Sequence, residues 1–401
     1  MHTSDAKDET VTPTLDRLAI ATREWDPPLA ALDLRTLTAN AGELVRRAGG
    51  TRVRVASKSV RCRSVLETVL GPDLTASGGF AGIMSYSLRE SIWLARAGAG
   101  DILMGYPTVD RAALAEFAAD PVLRERITLM IDSDEHLDLL RVAFGSDAVR
   151  ARVCLDVDAS LRLGPVHIGV RRSPLRTPGA VAALAARARG RGFQVAGVMF
   201  YEAQIAGVPD SSAPVVWMKK RSAAELATRR TAVVDAVQSE VGELEIVNGG
   251  GTGSLEVTSA DPSVTEVTAG SGLFVPTLFD RYRAFRPDPA LYFALPAVRR
   301  PTPKIATLFG GGYIASGPAG AARVPTPVFP RGLKLLRNEG AGEVQTPVTG
   351  KAASDVQIGD RVWFRHAKAG ELCERFDSLH VVADGACTPV PTYRGEGKCF
   401  G

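Results

Sequence analysis

Between residues 52 and 275, short β-branched runs alternate with alanine-rich helical runs, and no other feature constrains the fold of this chain as much. Strand-like runs fall at 52–56, 81–86, 102–106, 127–131, 153–157, 195–201, 245–248 and 267–275. Helical patterns lie between them at 60–70, 88–97, 111–117, 135–142, 180–189 and 218–241. Eight strand-helix units over about 230 residues are what a (β/α)8 barrel of the TIM type requires. A doubly wound open sheet competes with it, because strand count alone does not close a barrel.

An earlier strand and helix, 29–34 and 36–47, lie outside this count. After Asp280 the texture changes: Pro and Gly punctuate short strand-like pieces at 304–309, 361–365 and 379–382. The expected organisation is therefore a flexible tail over 1–13, a barrel with a leading strand over 28–285, and a β-rich domain over 286–401. The spare first strand is a candidate to join that last domain.

Composition narrows the function. With 401 residues, 45% hydrophobic and 23% charged, the chain can bury one large core and a second smaller one. A net charge of +4 with scattered basic residues points to neither nucleic acid nor an anionic membrane. The run Lys219-Lys220-Arg221 opens a helical pattern and reads as a solvated face. Five cysteines without close pairing read as reduced thiols of a cytoplasmic protein. Met1 to Pro13 is polar and acidic, with no apolar core for a signal peptide, and no apolar stretch is long enough to span a bilayer.

Two local motifs carry chemistry. In Arg54-Val-Ala-Ser-Lys-Ser-Val-Arg-Cys62, Lys58 follows the first barrel strand, where it would face the catalytic mouth. A partly desolvated ammonium there loses proton affinity, as an amine must to form a Schiff base. Val247-Asn-Gly-Gly-Gly-Thr-Gly-Ser254 follows the seventh strand, where such barrels hold phosphate. Its glycines let N–H groups approach an anion, and Thr252 and Ser254 add hydroxyls. A dinucleotide fingerprint would need a helix at once and an acidic residue about twenty positions on, and the chain offers neither. Asp132 and Asp156 end strands and reach the mouth or cap helices. Phe309-Gly-Gly-Gly-Tyr313 brings Tyr313 to a site or turns a sheet corner. Gly342-Glu-Val-Gln-Thr-Pro347 is a substrate-recognition segment or a surface turn.

Lys58 before Arg61-Cys62, the pair Tyr201-Glu202, the Asn248 to Ser254 loop and Gly270-Ser-Gly272 occur in one order. In that order the chain resembles the fold-type III pyridoxal-phosphate enzymes, specifically the D-threonine aldolase and D-serine dehydratase group, from about Leu29 to the C-terminus. The resemblance implies an alanine-racemase-like barrel joined to a β-domain, and a homodimer with active sites at the subunit interface. It implies that Lys58 carries pyridoxal 5′-phosphate as a Schiff base. Gly250, Gly251, Thr252, Gly253, Ser271 and Gly272 would hold the 5′-phosphate, and Tyr201 would approach the pyridine nitrogen. A neutral phenol at that nitrogen permits electron-sink character that an arginine would suppress.

The chain departs from the family in two places. Where the family has Arg-x-Gly, with the arginine on the cofactor's phenolic oxygen, this chain has His167-Ile-Gly. His167 can donate the same hydrogen bond, and Arg162 or Arg171 can supply the missing cation. The family also places a divalent metal through His-x-Cys or His-x-Asp in the β-domain. Here His366 is followed by Lys368 at the second ligand's place. An ammonium cannot ligate a dication, so Lys368 is expected to replace the metal with a fixed positive charge. A metal, if bound, would use His366 with Cys373, and His380 as a third donor.

The activity implied is a lyase acting on a D-configured β-hydroxy amino acid. In dehydration Lys58 takes the Cα proton and the β-hydroxyl leaves with help from Lys368. In aldol cleavage a base, His366 or Glu371, takes the hydroxyl proton. An amino acid racemase is the nearest alternative, with Tyr282, Tyr292, Tyr313 or Tyr393 as second acid/base. A non-catalytic pyridoxal-phosphate carrier and a sugar-phosphate barrel enzyme are the others; both leave the C-terminal half unexplained.

Overall fold

The alternation closes on itself. In the computed structural model, which describes residues 5–145 and 151–401, a leading strand β1 (Leu29–Asp33) precedes β2 (Arg52–Ala56), β3 (Phe80–Ser85), β4 (Ile102–Met104), β5 (Ile127–Ile131) and β6 (Arg152–Val157). A small antiparallel hairpin follows, β7 (Leu161–Leu163) and β8 (Val166–Ile168). Then come β9 (Gln194–Phe200), β10 (Ile246–Gly249) and β11 (Glu266–Ala269). The eight strands β2, β3, β4, β5, β6, β9, β10 and β11 pair in parallel in that order. Pairing of β11 with β2, from Glu266 opposite Arg52 to Ala269 opposite Val55, completes the ring. The open-sheet alternative is thereby excluded.

Strands buried on both faces explain the continuous Val/Ile/Leu runs. Inward-facing side chains fill the barrel: Leu103, Met130, Cys154, Ala196, Met199 and Ile246 form one cluster. Below them Arg54 lies buried between the carboxylates of Glu266, at 2.7 Å, and Asp101, at 2.9 Å. Asn248 Nδ2 donates to Glu266 at 2.8 Å, so the buried charges are paired and hydrogen-bonded. The covering helices start on caps written in the sequence. Ser87 Oγ accepts from Glu90 N–H while the Glu90 carboxylate accepts from Tyr86 N–H, reciprocal contacts of the capping-box kind at the start of Leu88–Arg96. Two strands are shorter than their runs. β4 stops at Met104 because Gly105 and Pro107 follow, and β11 stops at Ala269, after which Ser271–Phe274 turns into a helix.

The second unit comprises the described residues up to Gly42, with 59–65 and 271–399. Its strands are β12 (Leu291–Thr302), β13 (Ile305–Phe309), β14 (Thr326–Phe329), β15 (Leu333–Leu335), β16 (Gln345–Gly350), β17 (Arg361–Arg365), β18 (Ser378–Ala383) and β19 (Ala386–Pro391). β1 enters this sheet, antiparallel to β12 and parallel to β18. The spare first strand therefore pairs here and not in the barrel. A helix, Asp5–Ala21, covers most of the segment expected as a tail; residues 1–4 lie outside the described ones. Its Leu15 and Leu18 pack with Leu29, Ala31, Tyr292 and Trp363 in the core of this unit. Among the described residues, no helix is long and apolar enough to cross a membrane. All five cysteines are free thiols.

Candidate active site

Four strand ends bring their chemistry to the C-terminal mouth of the barrel. Lys58 stands in the single turn Ser57–Ser59 directly after β2, half-buried, and its Nζ donates to the Tyr106 hydroxyl just beyond β4. Tyr201 follows β9, with its ring centroid 5.9 Å from Lys58 Nζ. Arg172, in the loop after β6 and its hairpin, places its guanidinium 4.8 Å from the Tyr201 ring and 5.3 Å from the Tyr106 ring. Burial raises the Tyr106 phenol, but the Lys58 and Arg172 cations outweigh it and hold the group below its ordinary 10.0. The phenol oxygen thus accepts the Lys58 hydrogen bond in a strongly cationic setting.

Asp156 lies on the same inward face as Cys154, two residues on in β6, and is buried. Desolvation pushes its carboxyl up to about 7; Arg172 opposes this, while Asp132 and Asp158 add to it. Asp132, after β5, faces His136 Nδ1 at 3.0 Å.

The glycine loop is braced from behind. Glu202, the residue after Tyr201, is buried, and its carboxylate accepts from Gly250 N–H at 3.0 Å, from Ser254 Oγ at 3.3 Å and from the Thr258 hydroxyl. Arg47 donates to the Thr252 carbonyl at 2.8 Å and pairs with Glu256. Gly250 holds φ +83, a left-handed conformation costly for other residues, and a Cβ on Gly251 would come within 2.8 Å of Ala206. The sequence signals donors in this loop, but Gly250 N–H and Ser254 Oγ are turned inward as braces. Ser271 and Gly272 open the helix after β11 and belong to the second unit.

His167 sits in the hairpin strand β8 with Nε2 3.3 Å from the Val170 carbonyl. The cation beside the tyrosines is Arg172, not His167, Arg162 or Arg171. Sequence reasoning missed Arg172 and Tyr106. Their signals were present: Tyr106 ends the expected third run, and Arg172 adjoins Arg171.

In the β-rich unit, His366 follows β17, fully buried, with both ring nitrogens lacking a hydrogen-bond partner. Burial, then the Arg365 charge, lowers it to about 3. Lys368 Nζ donates to Ser316 Oγ at 3.1 Å, and Glu371 accepts from Ser316 N–H at 3.0 Å. Cys373 is buried, which pushes its thiol well above 9.0. His380 faces the Ala30 carbonyl and the Trp25 ring. Among the described residues, no three His, Cys, Asp or Glu side chains gather as metal ligands. One imidazole, an ammonium and a protonated thiol do not fit a divalent cation. Tyr313 packs edge-on against Phe293 and Phe376.

A closed parallel barrel with a lysine at its first strand end, together with a β-rich unit, has the architecture of the alanine-racemase-like, fold-type III pyridoxal-phosphate enzymes. The family model of the alanine racemase N-terminal domain matches residues 32–277, and the chain belongs to that family. D-threonine aldolase from Filomicrobium marinum is similar in structure, with TM-score 0.76 and 20% identity over 92% of this chain and 95% of that one. D-threo-3-hydroxyaspartate dehydratase from Delftia sp. HT23 follows at TM-score 0.69 and 18% identity, covering 92% and 97%. Alanine racemase from D-cycloserine-producing Streptomyces lavendulae gives TM-score 0.56 and 17% identity over 85% and 87%. At such identities these likenesses establish the fold. No curated protein matches the chain. The family implies pyridoxal phosphate. The donor set fits it: an amine for the aldehyde, a guanidinium and phenols for the ring's polar atoms, and a glycine loop for the phosphate.

Proposed function

We propose that the chain is a pyridoxal-phosphate lyase acting on a D-configured β-hydroxy amino acid, by dehydration with deamination or by aldol cleavage. One observation carries the reading: Lys58, Tyr106, Arg172 and Tyr201 converge from four strand ends at one mouth. Bound through Lys58, pyridoxal phosphate supplies an electron sink for the bonds at Cα. Tyr106 accepts a hydrogen bond from Lys58 and so holds Nζ in place. The Lys58 amine would be the base for the substrate Cα proton in dehydration. Arg172 offers its guanidinium to an anionic oxygen, and Tyr201 fills the place of a neutral ring partner. Gly251, Thr252 and Gly253, braced by Glu202 and Arg47, hold phosphate. Lys368 remains the proposed helper at the β-hydroxyl.

The racemase reading draws less support. Of its four candidate tyrosines, Tyr282, Tyr292 and Tyr393 are buried within the β-rich unit. A homodimer in the cytoplasm, with a small amino acid as its substrate, completes the proposal. Product assays on cofactor-loaded protein test the activity. D-serine should give pyruvate and ammonia if the protein dehydrates, and D-threonine should give glycine and acetaldehyde if it cleaves. Racemised substrate with neither product set would sink the lyase reading.

A further inference from the structure

Two residues of the motif around Lys58, Arg61 and Cys62, have no part in the chemistry above. Arg61 has φ +49, the left-handed region that favours glycine. Asp384 shares that conformation, but it stands beside Gly385 in the turn between β18 and β19, where such a backbone is ordinary. Arg61 lies in no hairpin; it stands between the Lys58 turn and the helix Arg63–Leu70. A glycine would take this conformation without strain, yet the residue present is an arginine whose side chain is engaged. Its Nη1 donates to Glu374 Oε1 at 2.8 Å, with the two side chains only 14% and 22% exposed. The Arg61 carbonyl accepts from the N–H of the buried Tyr393 at 2.9 Å, and the Cys62 thiol donates to the Pro391 carbonyl at 3.3 Å. Residues 59–65 accordingly belong to the β-rich unit, although Lys58 itself belongs to the barrel.

The partners of Arg61 are themselves held. Glu374 sits in the turn Glu371–Arg375, and Thr392 bonds the chain just beyond it. Thr392 Oγ1 donates to the Phe376 carbonyl at 2.6 Å, and Thr392 N–H to the Asp377 carbonyl at 3.0 Å. The stretches that carry Glu374 and Tyr393 are thus tied to each other as well as to Arg61. Backbone strain survives only where its surroundings over-determine it, and it collects where placement matters. Lys58 needs such placement, because a single turn, Ser57–Ser59, is too short to fix its own direction. Upstream, Ser57 Oγ donates to the Met84 carbonyl at 3.1 Å; downstream, the anchor is Arg61. We propose that Arg61 and Glu374 are positioning residues for Lys58. Their ion pair locks the left-handed backbone at Arg61 and so fixes the turn from which the Lys58 amine reaches Tyr106 and the cofactor's aldehyde. Both act through the backbone. The role rests on the cofactor assignment and not on which reaction follows.

The experiment follows attachment of pyridoxal phosphate to the full-length apoprotein by the visible absorbance of the Lys58-bound cofactor, with no substrate present. Glu374→Gln keeps the shape of its side chain and removes the charge, and Arg61→Ala removes the other partner. Each should slow attachment by about tenfold, short of the roughly hundredfold that a 1 Å misplacement can cost. Arg61→Lys should recover part of the rate, because it restores a cation opposite Glu374. Arg61→Gly separates backbone from side chain: it relieves the strain, yet it should attach as slowly as Arg61→Ala, because the turn is no longer locked. Urea midpoints measured alongside show that each variant is folded. Attachment at the wild-type rate in both Glu374→Gln and Arg61→Ala, with only the urea midpoint lowered, would overturn the positioning role. So would an Arg61→Lys variant no faster than Arg61→Ala. Product assays with D-serine and D-threonine bear on the reaction alone, so their failure would remove the lyase and leave this result standing.

Discussion

The barrel and the β-rich unit each present a lysine and a buried titratable group, yet they set them to different uses. In the barrel, Lys58 meets a phenol that two cations hold below its usual value. In the β-rich unit, Lys368 is held by a serine, and His366 is sealed without a hydrogen-bond partner. The difference follows from sheet geometry. Parallel strands of a closed barrel all end on one face, so residues distant in sequence converge there. His366 and Lys368 lie beyond the end of β17, where loop backbone and not strand alternation sets their directions, so the two are not assured of shared surroundings. A motif match thus carries more weight at a barrel strand end than in such a loop.

The largest expected effect is at the barrel lysine. Lys58→Ala should abolish covalent attachment of the cofactor and lower activity by about a thousandfold or more. Borohydride reduction followed by peptide mass spectrometry should place the cofactor on Lys58 in wild type and nowhere in the variant. Label on another lysine would break the comparison at its base.

The two buried titratable groups should give opposite pH dependences. Asp156 keeps its proton in the fold up to about 7 and releases it near 3.8 when unfolded, so stability falls as pH rises across that window. His366 refuses its proton in the fold down to about 3 but takes it near 6.5 when unfolded, so stability falls as pH drops across that range. Each contribution is on the order of 4 kcal/mol at the far end of its window. The two windows overlap, so the slopes oppose each other in wild type; urea midpoints from pH 3 to pH 8 should climb with pH in Asp156→Asn, which keeps only the His366 contribution, and fall with pH in His366→Leu, which keeps only that of Asp156. A variant that keeps the wild-type slope removes its residue from this account.

The smallest effect is reserved for the second lysine. If its charge assists departure of the β-hydroxyl, Lys368→Met should lower kcat on D-serine by about tenfold without weakening cofactor attachment. Unchanged kcat would confine the chemistry to the barrel and sharpen the contrast with Lys58→Ala.

Much of this was legible in the residues. The strand runs at 52–56 and 127–131 fell where β2 and β5 lie, because β-branched runs between helical patterns are local signals. Lys58 and the glycine loop were legible because each sits against a strand end. Tyr106 and Arg172 were not, since each is ordinary in its own segment and gains meaning only beside the other. The loop's brace was hidden likewise: Glu202 and Arg47 lie far from Gly250 and Thr252 along the chain.

By itself the sequence determined the number and order of strand-helix units, the amine after the first barrel strand and the flexible backbone after the seventh. Each depends on neighbours within a few residues. Tertiary structure alone decided that β11 meets β2 and closes the barrel, that β1 pairs with β12 and β18 instead, and that Arg172 supplies the cation at the mouth. Those outcomes depend on pairing and charge proximity between distant segments, and a one-dimensional pattern does not record such distances.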